Sequence, residues 1–143
     1  MGGFGRVWGA VAVVAAGASF AVPAQPSDDL GQREYFSSCA ICHGEDGRGN
    51  GRLFATGFLS RKPSDLTALA ASNGDVFPFQ RVYMMIDGRG MIAAHGTRDM
   101  PIWGTEYMAE GARGALVVVD PQAYARARIL ALIDYLGRIQ APR

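Results

Sequence analysis

Three side chains able to bind a metal or form a covalent bond fall within five positions, Cys39-Ala40-Ile41-Cys42-His43. Two thiols separated by two residues and followed at once by an imidazole form the haem c attachment pattern. The reason is geometric. At the end of a helix two sulfurs so spaced reach the two vinyl groups of one haem, and the histidine then swings beneath its iron. The same residues have plainer readings: a thioredoxin-like redox pair, half of a zinc site, or a simple disulfide. The redox pair lacks its βαβ context in the surrounding sequence. A four-ligand zinc site requires two further ligands, and only His95 remains among the other Cys and His residues. Elsewhere no paired carboxylates and no Ser-His-Asp set stand out. Gly44 to Gly51 holds four glycines in eight residues but has neither the strand before nor the helix after that a nucleotide site requires.

The elements that position these groups read as helices. Ser27 caps an expected helix from Asp28 to Ser38 that buries Leu30, Tyr35 and Phe36 and delivers the thiols at its end. Gly44 to Gly51 must be a loop. A second short helix opens at Ser64 or Asp65 and stops at Asn73-Gly74. Pro78 suits a helix first turn, with Gln80 to Asp87 continuing it to Gly88. A glycine-rich stretch from Gly88 to Gly104 reads as loop. The last helix has the clearest signal, with Asp120 as cap, Pro121 in its first position and Gly137 at its end. Ile129, Leu132, Ile133 and Leu136 form its apolar face, with Arg126, Arg128 and Arg138 elsewhere on its surface. No strand alternation is present. The expected class is all-α, with long loops and a core that needs something besides its own side chains to fill it.

Composition narrows the partners. The 143 residues carry 14 basic and 13 acidic groups. That balance excludes the clustered basic excess of a nucleic-acid binder and gives no support to a polybasic membrane-surface protein. Residues 1–24 read as an export signal: Arg6, an apolar run from Val7 to Val22, then Val22-Pro23-Ala24 as a cleavage site before Gln25. The alternative is a retained anchor, although the run is slightly short of the roughly 17–25 residues that span a bilayer. In either case residues 25–143 form one domain outside the cytoplasm, in the periplasm.

With these residues in place, the chain resembles the class I c-type cytochromes, small single-haem electron carriers. Cys39-Ala-Ile-Cys42-His43 is one match. Met100-Pro101-Ile-Trp103-Gly104 is similar to the loop that supplies the family's second axial ligand. Gly31 and Tyr35, set against Leu132 and Tyr135, match a pair of helices that cross closely in the family, and Gly31 removes a side chain at that crossing. The resemblance implies a cytochrome c fold of about four to five short helices around one covalently bound haem c. It also implies Cys39 and Cys42 as thioether donors and His43 and Met100 as axial ligands. His95 is the competing sixth ligand, in a loop without the proline and tryptophan that stiffen the Met100 segment.

Trp103 is expected to cover the haem edge and to reach a propionate through its ring N–H. Thirteen of the 14 basic residues are Arg, and Arg81, Arg89 and Arg98 are candidates by position to meet the propionates, with nothing in the sequence to choose between them. Met84 and Met85 are expected to line the pocket, with Met91 and Met108 as packing. With both axial positions filled the implied role is one-electron transfer rather than catalysis, between a donor such as a reductase or dehydrogenase and an acceptor such as an oxidase. A dedicated haem subunit of one enzyme complex is the alternative, with Ala115 to Val119 as its docking surface. The expected state is a monomer, membrane-attached only if the N-terminal segment is retained.

Overall fold

Asp120 accepts a hydrogen bond from the Gln122 amide at 2.9 Å, and Pro121 follows with its φ already set for a helix. The helix they start, α6 (Pro121–Arg138), is the longest in a computed structural model that describes Met1 and residues 29–90, 100–113 and 120–142. Its buried face is Ala125, Ile129, Leu132, Ile133 and Leu136, each 3% exposed or less. Those positions recur every three or four residues, the stripe expected of a helix laid on a core. The helix passes through Gly137 and ends at Arg138, with the Ile139 amide bonded back to the Tyr135 carbonyl at 3.2 Å.

The N-terminal helical run crosses α6. It comprises α1 (Leu30–Glu34), a π-helical turn (Tyr35–Cys39) and α2 (Ala40–His43). Asp29 is the observed cap, accepting from the Gln32 amide at 2.8 Å. Ser27 lies outside the described residues. A Cβ on Gly31 would sit 2.7 Å from the Ala131 carbonyl carbon and 3.0 Å from Tyr135 Cβ, so the crossing requires glycine there. Tyr35 packs on Tyr135 with ring centroids 5.2 Å apart. The expected inward face is corrected in part. Tyr35 is buried, but Leu30 is only half-buried and Phe36 is 46% exposed, while Gly31, Glu34 and Cys39 turn inward. The π-helical turn accounts for Phe36 and Cys39, because its extra residue shifts the register of the side chains after Glu34, whereas Leu30, Gly31 and Glu34 lie in the α-helical turn before it.

Between these helices lie shorter elements. Among the described residues α3 (Arg52–Ala55), α4 (Phe79–Asp87) and α5 (Trp103–Arg113) complete the helices, and no strand is present. The all-α expectation is met at that level. α4 has Gly88 in the left-handed conformation at its end, φ 66°, with its amide bonded to the Met84 carbonyl. Val82 and Ile86 are its buried residues.

Two expectations fail here. The single helix sought between Ser64 and Asn73 is instead a pair of 3₁₀ turns, Leu66–Ala68 and Ala71–Asn73. Gln140 intervenes: its amide donates to the Leu66 carbonyl at 2.8 Å and accepts from the Ala70 amide at 2.9 Å, the two groups an α-helix would join. And the stretch read as loop up to Gly104 already becomes helix at Trp103, the start of α5, which packs along α6 through Tyr107 and Gly111. The rest of that stretch, residues 91–99, lies outside the described residues.

Candidate haem-attachment site

The helical run ends where the chemistry begins. Cys39 closes the π-helical turn, Cys42 lies one α-helical turn further, and His43 is the last residue of α2. The glycine loop that follows caps this end with backbone amides. Gly44 donates to the Ala40 carbonyl at 2.8 Å, Gly49 to His43 at 2.7 Å and Gly51 to Cys42 at 3.1 Å. Helix C-termini leave carbonyls unpaired, so a loop that returns its own amides to them holds the motif rigidly. The Tyr35 hydroxyl adds a donor from inside the core, bonded to the Gly44 carbonyl at 2.6 Å.

His43 is half-buried, with Nδ1 3.0 Å from the Ser64 carbonyl oxygen. A carbonyl only accepts, so Nδ1 carries the proton and the Nε2 lone pair is free for a metal. Burial pushes the His43 pKa below its ordinary value, against the opposing pull of the Ser64 hydrogen bond, which favours the neutral ring that a metal requires. Ser64 had no signature as a partner in the sequence, because the group that acts is a backbone carbonyl.

Both cysteines are free thiols. Cys39 is 8% exposed, and burial, with the nearby Glu34 and Cys42 adding to it, pushes its thiol up to about 12. Cys42 is half-buried, and burial raises its thiol as well. Neither is therefore activated as a nucleophilic redox cysteine would be. Among the described residues no three His, Cys, Asp or Glu side chains gather to hold a metal ion. An open groove of about 670 Å³ runs along the outer side of the same helix, past Phe36, Ala40, Ile41 and Arg52. None of Cys39, Cys42 or His43 lines it.

The second half of the proposed site comes from the segment after α4. Met100 is half-buried and packs against the core. Pro101 and Ile102 lead into α5, whose first residue, Trp103, is half-buried and stacked on Tyr107 with ring centroids 5.9 Å apart. Trp103 is thus a helix residue rather than part of a loop. His95, Met91 and Arg98 lie outside the described residues, as do residues 2–24 of the export segment and the run Ala115 to Val119. Among the described residues no helix is long and apolar enough to cross a membrane.

Met84 and Met85 are 50% and 44% exposed on α4, whose buried residues are Val82 and Ile86. Met108 does pack against the core. Arg89 has partners of its own, with Asp87 at 2.6 Å, Gln122 at 2.6 Å and the Met108 sulfur at 2.5 Å. Arg81 is exposed. Arg128 is not the surface residue expected. Its side chain is 19% exposed and pairs with the buried Glu34.

The donor set suits the group that the sequence motif implies. A neutral imidazole with one fixed nitrogen, and two thiols a turn apart on the same helix, are the groups a c-type haem requires. No family model matches the chain, and neither a curated protein nor a solved structure matches it.

Proposed function

We propose that residues 25–143 form a single-haem c-type cytochrome of the class I kind, a one-electron carrier of the periplasm rather than an enzyme. The observation that carries this is the Cys39-Ala-Ile-Cys42-His43 sequence at a helix end with His43 Nδ1 fixed on Ser64. In this reading Cys39 and Cys42 would hold the haem through thioethers, and His43 and Met100 would ligate its iron. The bound haem supplies the redox chemistry, iron cycling between its ferric and ferrous states.

The chain's own residues do the rest. Ser64 keeps the imidazole in one tautomer and one orientation, the part a second-sphere carbonyl plays for a metal-bound histidine. The returning amides of Gly44, Gly49 and Gly51 stop the attachment helix from fraying. Pro101 and α5 restrict the segment that carries Met100, which packs against the core. A rigid coordination shell lowers the reorganisation that accompanies electron transfer. The partners are redox proteins, a donor and an acceptor.

Production of the chain alongside a haem-attachment system tests this. The peptide containing residues 39–43 is expected to carry one haem in covalent linkage, and the protein to take up one electron reversibly. A chain recovered without haem, showing instead a reversible two-electron dithiol–disulfide couple, overturns the proposal.

A further inference from the structure

Arg128 joins three helices. Its guanidinium lies 5.3 Å from the ring centres of both Tyr107 on α5 and Tyr124 on α6. It pairs with the Glu34 carboxylate of α1, donates to the Tyr124 hydroxyl at 2.6 Å and reaches Glu110 of α5 at 3.4 Å. Glu34 is 4% exposed and Tyr107 3%. The Tyr107 hydroxyl lies against the Glu34 carboxylate, and Arg128 Nε has no hydrogen-bond partner among the described residues. Burying an ion pair with an atom left unpaired is a poor way to gain stability, since apolar side chains of similar volume serve as well or better. What such a pair supplies is fixed geometry.

That geometry leads to Met100. Tyr107, held under the guanidinium, is stacked on Trp103 with the ring planes 29° apart. Trp103 opens α5 three positions after Met100, with Pro101 between them. The same end of α5 is pressed onto the corner after α4, where a Cβ on Gly104 would lie 2.6 Å from Arg89 Nε and from the Asp87 carbonyl oxygen. α5 is therefore a short rigid lever. Met100 precedes one end, and Arg128 holds the face that carries Tyr107 and Glu110.

We propose, resting on the His43/Met100 assignment above, that Arg128 is a positioning residue. By holding α5 against α6 and α1 it keeps the Met100 sulfur in place and sets how readily an outside ligand displaces it. Glu34 fixes the guanidinium between the rings and acts through it. A lysine retains the charge but not the flat fork that fits between two aromatic faces, so Arg128→Lys restores only part of the effect.

The test is imidazole binding to the oxidised holoprotein, because imidazole must replace Met100 to bind. Arg128→Gln is expected to raise the apparent imidazole affinity about tenfold, equivalent to about 1.4 kcal/mol of lost hold on the sulfur. Helical content should remain that of the wild type, and Arg128→Lys should fall between. Arg138→Gln, which removes a separate tie from α6 to Asp29, is expected to leave the affinity unchanged. If Arg128→Gln does not fold, Glu34→Gln, which keeps the shape of the side chain, makes the same measurement. Unchanged imidazole affinity in a folded Arg128→Gln or Glu34→Gln protein overturns the proposal and leaves the ligation intact. A wild type without a sulfur-to-iron absorption band overturns the ligation and the proposal together.

Discussion

At the scale of single residues, two glycines in or against α6 should respond in opposite ways. Gly31→Ala drives a methyl group into the Ala131 carbonyl and is expected to cost about 1–3 kcal/mol or more, read as a lower denaturant midpoint. Gly137→Ala meets nothing within 4 Å and sits inside the helix, so it is expected to gain up to about 1 kcal/mol. Two titrating groups of the motif give the haem-free chain a pH signature. The buried Cys39 thiol keeps its proton up to about 12, while the unfolded chain releases it from 9.0. The folded state then binds the extra proton, so stability is full below that ordinary value and falls as pH rises, by about 1.4 kcal/mol per unit for this proton. His43 acts at the other end. Its folded pKa lies below 6.5, so the unfolded chain takes up a proton first and stability falls as pH drops under 6.5. Denaturant midpoints across pH measure both. Cys39→Ala should remove the Cys39 part of the alkaline decline, leaving Tyr35 and Tyr107, whose hydroxyls burial also raises.

At the scale of elements, the parts legible in the sequence were those set by local chemistry. α6 announces itself through Asp120, Pro121 and an unbroken apolar stripe, and α4 through Pro78 and Gly88. The helix end that carries Cys39, Cys42 and His43 is equally local, five consecutive residues. What stayed hidden depends on partners distant in sequence. The Leu66–Asn73 stretch has the composition of a helix, but the Gln140 side chain, about 70 positions away, takes the hydrogen bond that would close it. Gln140→Leu strips partners from the Leu66 carbonyl and Ala70 amide and is expected to cost about 1–3 kcal/mol by thermal unfolding. α5 was missed because Gly104 and Gly111 depress its helix propensity, whereas both are required for close contact, with the corner after α4 and with Tyr124. The π-helical turn at Tyr35–Cys39 has no sequence signature, and it sets the register in which Tyr35 and Cys39 turn inward.

At the scale of the whole molecule, α1, α5 and α6 form one packed body whose fully buried apolar residues are few. Among the described residues the large side chains below 2% exposure are Tyr35, Ile129 and Leu132. Such a core is small for so glycine-rich a chain, and a haem would add a large apolar surface to it. Haem attachment is therefore expected to raise the midpoint of thermal unfolding well above that of the free-thiol chain, by the linkage that stabilises any state that alone binds a ligand. The 14 basic and 13 acidic groups leave a formal net charge of +1, so steering of the whole molecule by its net charge is weak, and association with a redox partner is expected to depend only weakly on ionic strength. The measurement that bears most directly on the central claim is the visible spectrum of the oxidised holoprotein, scanned into the red. A weak sulfur-to-iron charge-transfer band that disappears in Met100→Ala is the result expected of His43/Met100 ligation. A low-spin spectrum without that band, or a high-spin spectrum from an open iron, contradicts it.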